Sequence, residues 1–186
     1  MLEMITAWDR DVLLWIQENL RADILNLPVI FITSLGNAGL IWIVSALVML
    51  GPRKTRKAGF LALCSLLVGF LITNLILKNA VARIRPYDAW PAIELLIRPE
   101  SDYSFPSGHA TSSFAAAVIY YRYLPKPFGM AACVLAALIA LSRLYVGVHY
   151  PTDVICGVLI GIGAACLIIR LKERYIRDGA FPYIFL

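Results

Sequence analysis

Apolar residues run along this chain in long stretches, broken at intervals by short polar segments that carry Gly, Pro or clustered charge. In residues 1–20, Ile5, Trp8, Val12, Trp15, Ile16 and Leu20 recur at steps of three and four, while Asp9, Arg10, Gln17 and Glu18 fall on other faces. This is a helical period with an apolar stripe, and its two Trp suit a membrane–water boundary. An amphipathic helix lying in the interface over 1–22 is the expectation; a helix packed on a bundle is the alternative. Five longer runs follow: Ile24–Leu50, interrupted by "SLGNAG" at 34–39, then Ala58–Leu77, His109–Tyr121, Phe128–Val146 and Val154–Ile169. A membrane-crossing helix needs roughly 20 residues, so the third and fifth runs should extend into their polar flanks. Segment 78–106 contains Pro86, Pro91, Pro99 and Pro106 and cannot be one continuous helix. It must lie at a surface or over a site. The predicted fold class is all-α: an integral membrane bundle of about five transmembrane helices plus the interfacial helix, forming a single domain over 1–186.

Composition strengthens the membrane assignment. Of 186 residues, 60% are hydrophobic and 16% charged, and the mean hydropathy is +0.76; a soluble domain would be about 45–50% apolar and about 25% charged. The net charge of +5 sits at the ends of apolar runs, which reads as topology rather than as a nucleic-acid surface. "GPRKTRK" (51–57), "YRYLPKP" (121–127) and "RLKERYIR" (170–177) hold ten of the seventeen basic residues. With five spans these segments share one side, cytoplasmic by the positive-inside rule, with the C-terminus among them. The N-terminus, segment 78–106 and residues 142–153 then face outside the plasma membrane. No cleaved signal is expected, because Glu3, Asp9 and Asp11 stand where a basic leader belongs. Cys64, Cys133, Cys156 and Cys166 lie in apolar runs without CxxC spacing and read as buried free thiols.

Chemistry gathers on the outer face. Lys78, Arg85 and Arg143 are cations close to hydrocarbon, and no equal set of nearby carboxylates is evident in the sequence. Unpaired, they would be expensive, and a bound anion removes that cost, with the Arg fork suited to phosphate oxygens. "PSGHATS" (106–112) opens the third run with Ser107 as a candidate N-cap and Gly108 allowing backbone N–H groups to approach an anion; taken alone it reads first as a plain capping motif. Both histidines, His109 and His149, fall in these segments. Asp153, four residues after His149 and in the first turn after Pro151, can hold one imidazole nitrogen and leave the other free to attack, with His109 as proton donor. Arg83 and Arg98 read as solvated or headgroup contacts. Tyr87, Trp90 and Tyr103 read as interfacial aromatics, and Thr73 and Asn74 as interhelical hydrogen-bond partners. "WPAIELLI" (90–97) is read either as a short helix dipping into the interface beside a lipid tail or as simple packing.

"KNAVARIRP" (78–86), "PSGH" (106–109) and "SRLYVGVHYPTD" (142–153) together resemble the signature of the type 2 phosphatidic acid phosphatase family, K-x6-RP, PSGH and SR-x5-H-x3-D. All eleven fixed positions match in order and spacing. The resemblance implies a membrane lipid phosphate phosphatase whose catalytic region is 78–153. In it His149 forms a phosphohistidine, Asp153 orients His149, and His109 protonates the leaving oxygen and then helps activate water. Lys78, Arg85, Ser107, Gly108 and Arg143 bind the phosphoryl group, and no metal or cofactor is implied. The expected partners are a lipid phosphate substrate and membrane lipids, with undecaprenyl diphosphate favoured. Phosphatidylglycerol phosphate, phosphatidic acid and phosphotransfer are the alternatives, and an anion or lipid carrier is the competing class that is not an enzyme.

Overall fold

The computed structural model describes residues 2–177 of the chain. Helix α1 (Leu2–Asn19) turns Asp9 and Leu13 inward, both buried, while Ile5, Trp8 and Trp15 stay exposed. Much of the apolar stripe therefore faces away from the protein while Asp9 faces into it, the inverse of a soluble amphipathic helix. Bilayer surroundings account for that inversion: apolar side chains favour lipid, and an acid is stable only where the protein supplies its partners.

The first apolar run forms α2 (Asp23–Leu35) and α3 (Leu40–Leu50), bent by 45° across a break. The break is the "GNAG" turn, in which Ala38 (φ 51°) and Gly39 (φ 66°) are left-handed. Helix α4 (Arg56–Phe70) continues through a π-helical stretch, Leu71–Leu77, into α5 (Lys78–Val81), which stops where Ala82 adopts φ 49°. One further short helix, α6 (Pro86–Ala89), starts on its proline. The chain then crosses the top of the molecule without regular structure to α7 (Gly108–Tyr123), α8 (Lys126–Tyr145) and α9 (Pro151–Arg177). No strand is present among the described residues.

Helix α7 is the hub of the bundle. Ala110, Ala115, Ala116 and Ala117 are fully buried, and these small side chains let α4, α8 and α9 pack closely against it. Interhelical hydrogen bonds complete the packing: Trp42 Nε1 donates to Ser113 Oγ (3.0 Å), Ser65 Oγ to the Ala115 carbonyl (2.9 Å), and Thr73 and Thr111 hydroxyls meet at 3.0 Å. By length and apolar composition, three helical segments can cross a membrane, or four if α2 and α3 form one bent span. The remaining candidate is α7, whose 16 residues rise about 24 Å, less than a hydrocarbon core of about 30 Å. It gains little from its flanks, whereas α9 extends well past its apolar run, as expected.

The three basic links converge at one end of the bundle. Lys57, Arg122 and Lys172 surround the Tyr123 ring at 5.8, 5.8 and 5.1 Å. At the other end, the 90–97 segment is packed rather than inserted as a helix. Ile93 is buried against Leu13 and Tyr150, and Gln17 of α1 bridges the Ala92 carbonyl (3.0 Å) and the Glu94 N–H (2.8 Å). The four cysteines are free, but they are less buried than expected: three are half-buried and Cys166 is exposed.

Candidate active site

Pro151 begins α9, which places Asp153 in its first turn. There the carboxylate reaches back in capping-box fashion, and Oδ2 accepts the Tyr150 N–H at 3.0 Å and the Ser104 hydroxyl at 2.5 Å. Its other oxygen accepts Arg83 Nη1 at 2.6 Å. His149 precedes the helix, with Nδ1 3.5 Å from Asp153 Oδ2, longer than the usual 2.7–3.2 Å of an N–H···O bond. The ring edge is thus aligned with the acid but not yet bonded to it, and Nδ1 is a buried nitrogen without a partner among the described residues. Burial, reinforced by Arg143 and Arg85, pulls the His149 imidazole down to about 4 against the opposing pull of Asp153. It is neutral at pH 7, which leaves one ring nitrogen unprotonated.

The three sequence-predicted cations do converge, but their surroundings correct one expectation. Carboxylates are not missing: Glu100 and Asp102, from the loop between α6 and α7, fold over the cations. Glu100 pairs with Arg143 through one oxygen and with Arg85 (2.6 Å) through the other. Asp102 pairs with Lys78 and with Arg85 (2.5 Å). The sequence reading missed this because 100 and 102 lie outside the motifs and acquire their partners only when the loop folds back. Partial burial alone would raise both acids, but Arg143 and Arg85 hold Glu100 below its ordinary range, and Lys78 and Arg85 do the same for Asp102. Tyr87, read as an interfacial aromatic, staples the loop: its hydroxyl donates to the Glu100 carbonyl (3.2 Å) and accepts the Glu100 N–H (3.1 Å). Arg85 also donates to the Asp102 and Val148 carbonyls, both at 2.8 Å. Arg143 donates to Thr33 Oγ1 at 2.7 Å, and its buried Nε has no partner among the described residues.

Ser107 caps α7, its hydroxyl accepting the Ala110 N–H at 3.4 Å. His109, in the first turn of α7, lines the same cavity of about 770 Å³ as His149. Its Nε2 meets Asn37 Oδ1 at 3.0 Å, so the turn that bends the first run also positions a site histidine. A side chain at Gly36 would stand 2.6 Å from the His109 ring, which explains the glycine. The polar end of the cavity includes Lys78, Gly108, His109 and His149; its walls continue through Ile43, Leu63, Leu66, Leu67 and Phe70. Thr73 and Asn74 both line this cavity, and Thr73 also makes an interhelical hydrogen bond to Thr111.

Arg83 corrects a second expectation. It is not a solvated headgroup contact: Nη1 binds Asp153 and Nη2 binds Asp9, each at 2.6 Å. Within "RIR", Arg83 and Arg85 are turned inward while Ile84 between them is exposed. Arg98 is exposed, as expected. Asp9, Asn37, Glu100, Asp102 and Ser104 carry no local signal that would have singled them out.

Comparison with known proteins gives a consistent answer. Residues 58–177 match the PAP2 superfamily. The chain is 32% identical over 149 residues to an undecaprenyl-diphosphatase of Sulfolobus acidocaldarius, covering 80% of this chain and 71% of that one. It is 38% identical over 129 residues to the decaprenylphosphoryl-5-phosphoribose phosphatase of Mycobacterium tuberculosis, covering 68% and 69% respectively. Among solved structures, a transmembrane PAP2-type phosphatidylglycerolphosphate phosphatase from Bacillus subtilis superposes with a TM-score of 0.76 at 30% identity, covering 92% of this chain and 87% of that one.

Proposed function

Because the chain belongs to the PAP2 superfamily, we propose that it hydrolyses a membrane lipid phosphate or diphosphate through a phosphohistidine at His149. The observation that carries this reading is the alignment of a neutral, buried His149 between Asp153 and the Lys78, Arg85 and Arg143 cluster, on a cavity whose far walls are apolar. His149 Nε2 attacks phosphorus as the bond from phosphorus to the lipid-side oxygen breaks. His109 delivers a proton to that oxygen, then takes one from the water that attacks the phosphohistidine and releases inorganic phosphate. The cations bind the non-bridging oxygens as charge develops, taking the role that Mg²⁺ fills in other phosphoryl transfers.

Glu100 and Asp102 occupy the cations meanwhile, and the substrate phosphate replaces them. Gly108 fits the same picture: a side chain there would stand 3.6 Å from Asn74 Oδ1, an ordinary contact, so protein packing does not demand glycine. Close approach of a phosphoryl oxygen to the start of α7 does. The apolar walls suit a lipid tail. Two of the relatives are named for polyprenyl-linked phosphates, which favours undecaprenyl diphosphate; the Bacillus subtilis neighbour keeps phosphatidylglycerol phosphate as the second reading. The site faces outside the plasma membrane, with the C-terminus cytoplasmic.

Purified protein in detergent, assayed for phosphate release from undecaprenyl diphosphate, phosphatidylglycerol phosphate and phosphatidic acid, tests the activity. His149→Ala should lose turnover by at least about 10³-fold while remaining monodisperse. No release from any of the lipids, or substantial turnover by the variant, would overturn the reading. In a cysteine-free background, impermeant reagent should label Arg98→Cys from outside and spare Lys54→Cys; the reverse pattern inverts the orientation.

A further inference from the structure

The residues so far assigned to the chemistry all lie within or beside the three motifs. A second fully bonded buried carboxylate lies far from them in sequence, on α1, outside the region that matches the family. Asp9 is fully buried on a helix whose opposite face is Trp and Ile. Its Oδ1 accepts the Thr152 N–H at 3.0 Å, in the N-terminal turn of α9. Its Oδ2 accepts the Thr152 hydroxyl at 2.5 Å and Arg83 Nη2 at 2.6 Å. Arg83 in turn lies over the Tyr150 ring, its guanidinium carbon 3.8 Å from the centroid, and gives Nη1 to Thr152 Oγ1 (2.8 Å) and Asp153 Oδ1 (2.6 Å). Residues 150, 152 and 153, the three that set the His149–Asp153 geometry, are therefore all gripped by one Arg–Asp pair.

We propose that Asp9 is a positioning residue for the phosphatase reaction, acting through Arg83 and Thr152 on Asp153 and hence on His149. This rests on the phosphohistidine reading above. Two effects combine. Geometrically, Arg83 fixes Asp153 Oδ1, so that Oδ2 is the oxygen turned to His149 Nδ1. Electrostatically, Arg83 alone would neutralise Asp153; shared with Asp9, the trio keeps a net negative charge beside the imidazole. That charge stabilises the positive ring that develops as His149 attacks.

Substituting Asp9→Asn keeps the shape and removes the charge. Turnover should fall about 10–100-fold, the range for partners that orient a reacting group from the second layer, with KM changed little because no phosphate ligand is touched. The pH profile separates positioning from mere docking of α1. The groups around His149 are Asp153 from α9, Arg143 from α8, His109 from α7, Arg85 after α5, and Glu100 from the loop; Arg83 and Asp9 stand behind Asp153. Removing the Asp9 charge makes this setting more positive and should move the acid limb of kcat/KM to lower pH. Arg83→Gln makes it more negative and should move the limb to higher pH. In an Asp153→Asn background, Asp9→Asn should cost almost nothing further, since the route to His149 is already cut.

Limbs moving in the same direction, a KM effect without a kcat effect, or losses that add fully in the double variant would overturn the proposal. Should Asp9→Asn fail to give monodisperse protein, Arg83→Gln decides alone: a raised acid limb supports the proposal and an unmoved one overturns it. If His149→Ala itself retains turnover, the phosphohistidine reading fails first; if only the Asp9 and Arg83 outcomes fail, that reading stands and this one falls.

Discussion

Two Arg–carboxylate clusters flank His149, built from the same chemistry and serving opposite ends. Behind the histidine, Asp9, Arg83 and Asp153 form a closed network in which both acids are fully buried and every acid oxygen has a donor. In front of it, Glu100 and Asp102 cover Arg85, Arg143 and Lys78 from a loop, with the Asp102 side chain 51% exposed and that of Glu100 26%. The cations in front are the more buried partners and the anions the more accessible. In the proposed reaction, an incoming phosphate exchanges with the anions without disturbing the cations. The rear network offers no such exchange, because both of its acids are fully buried, one of them on α1 itself. Burial and the tether of each carboxylate, rather than ion-pair geometry, decide which pair is scaffold and which is a stand-in for substrate.

The largest expected effect breaks the rear cluster at its centre. Asp153→Asn should lower kcat by about 10³–10⁴-fold, measured as initial phosphate release, with the protein still folded by gel filtration. Next comes the front cluster's cation: Arg85→Gln should cost about 10²-fold in kcat/KM, and the loss should appear partly in KM, which Asp153→Asn leaves nearly unchanged. If both variants gave the same kcat and KM pattern, the division between scaffold and stand-in would fail. A smaller effect of opposite sign tests the exchange directly. The pair Glu100→Gln and Asp102→Asn removes the competitor for the phosphate site and should lower KM, by up to about fivefold, since half-exposed ion pairs contribute only about 0–1 kcal/mol. A raised KM would mean that these acids position the cations.

Two pH effects are subtler. The His149 imidazole, lowered to about 4 by burial and its cationic neighbours, should stay nucleophilic well below the ordinary imidazole value of about 6.5. The unfolded chain takes up that proton from about 6.5 downward and the folded one only near 4, so this group's contribution to stability falls as pH drops through that window. The acid limb of kcat/KM reads the first effect and thermal melting in detergent the second. Glu100 and Asp102 are depressed instead: their ion pairs are fully present above the ordinary carboxylate range of about 4 and are lost as pH falls through their lowered values. Hydrogen exchange of loop 98–104 should therefore accelerate only in strong acid.

Much of this arrangement was legible in the chain itself, for reasons that differ from residue to residue. The apolar runs appear as helices near their expected bounds because helical period and hydrophobicity are local properties, and Ser107 and Pro151 start helices because caps act within one turn. The start of α9 sets His149 and Asp153 within reach of each other, and the motif spacing singled out every cation of the front cluster. Other features misled. Arg83 looked like a headgroup contact because it occupies one of the unfixed positions within the first motif. The stripe on α1 indicated an amphipathic helix but not that its polar flank carries a buried acid.

What the sequence determined by itself is therefore the set of helices, their membrane character and the groups that can handle a phosphate. Only the tertiary structure decided the partners: Asp9 with Arg83 across 74 positions, Arg83 with Asp153 across 70, His109 with Asn37 across 72, and Glu100 with Arg143 across 43. A helix is specified by contacts three and four residues apart. An ion pair between distant segments exists only when the whole bundle brings its ends together and excludes the water that would otherwise satisfy each charge alone.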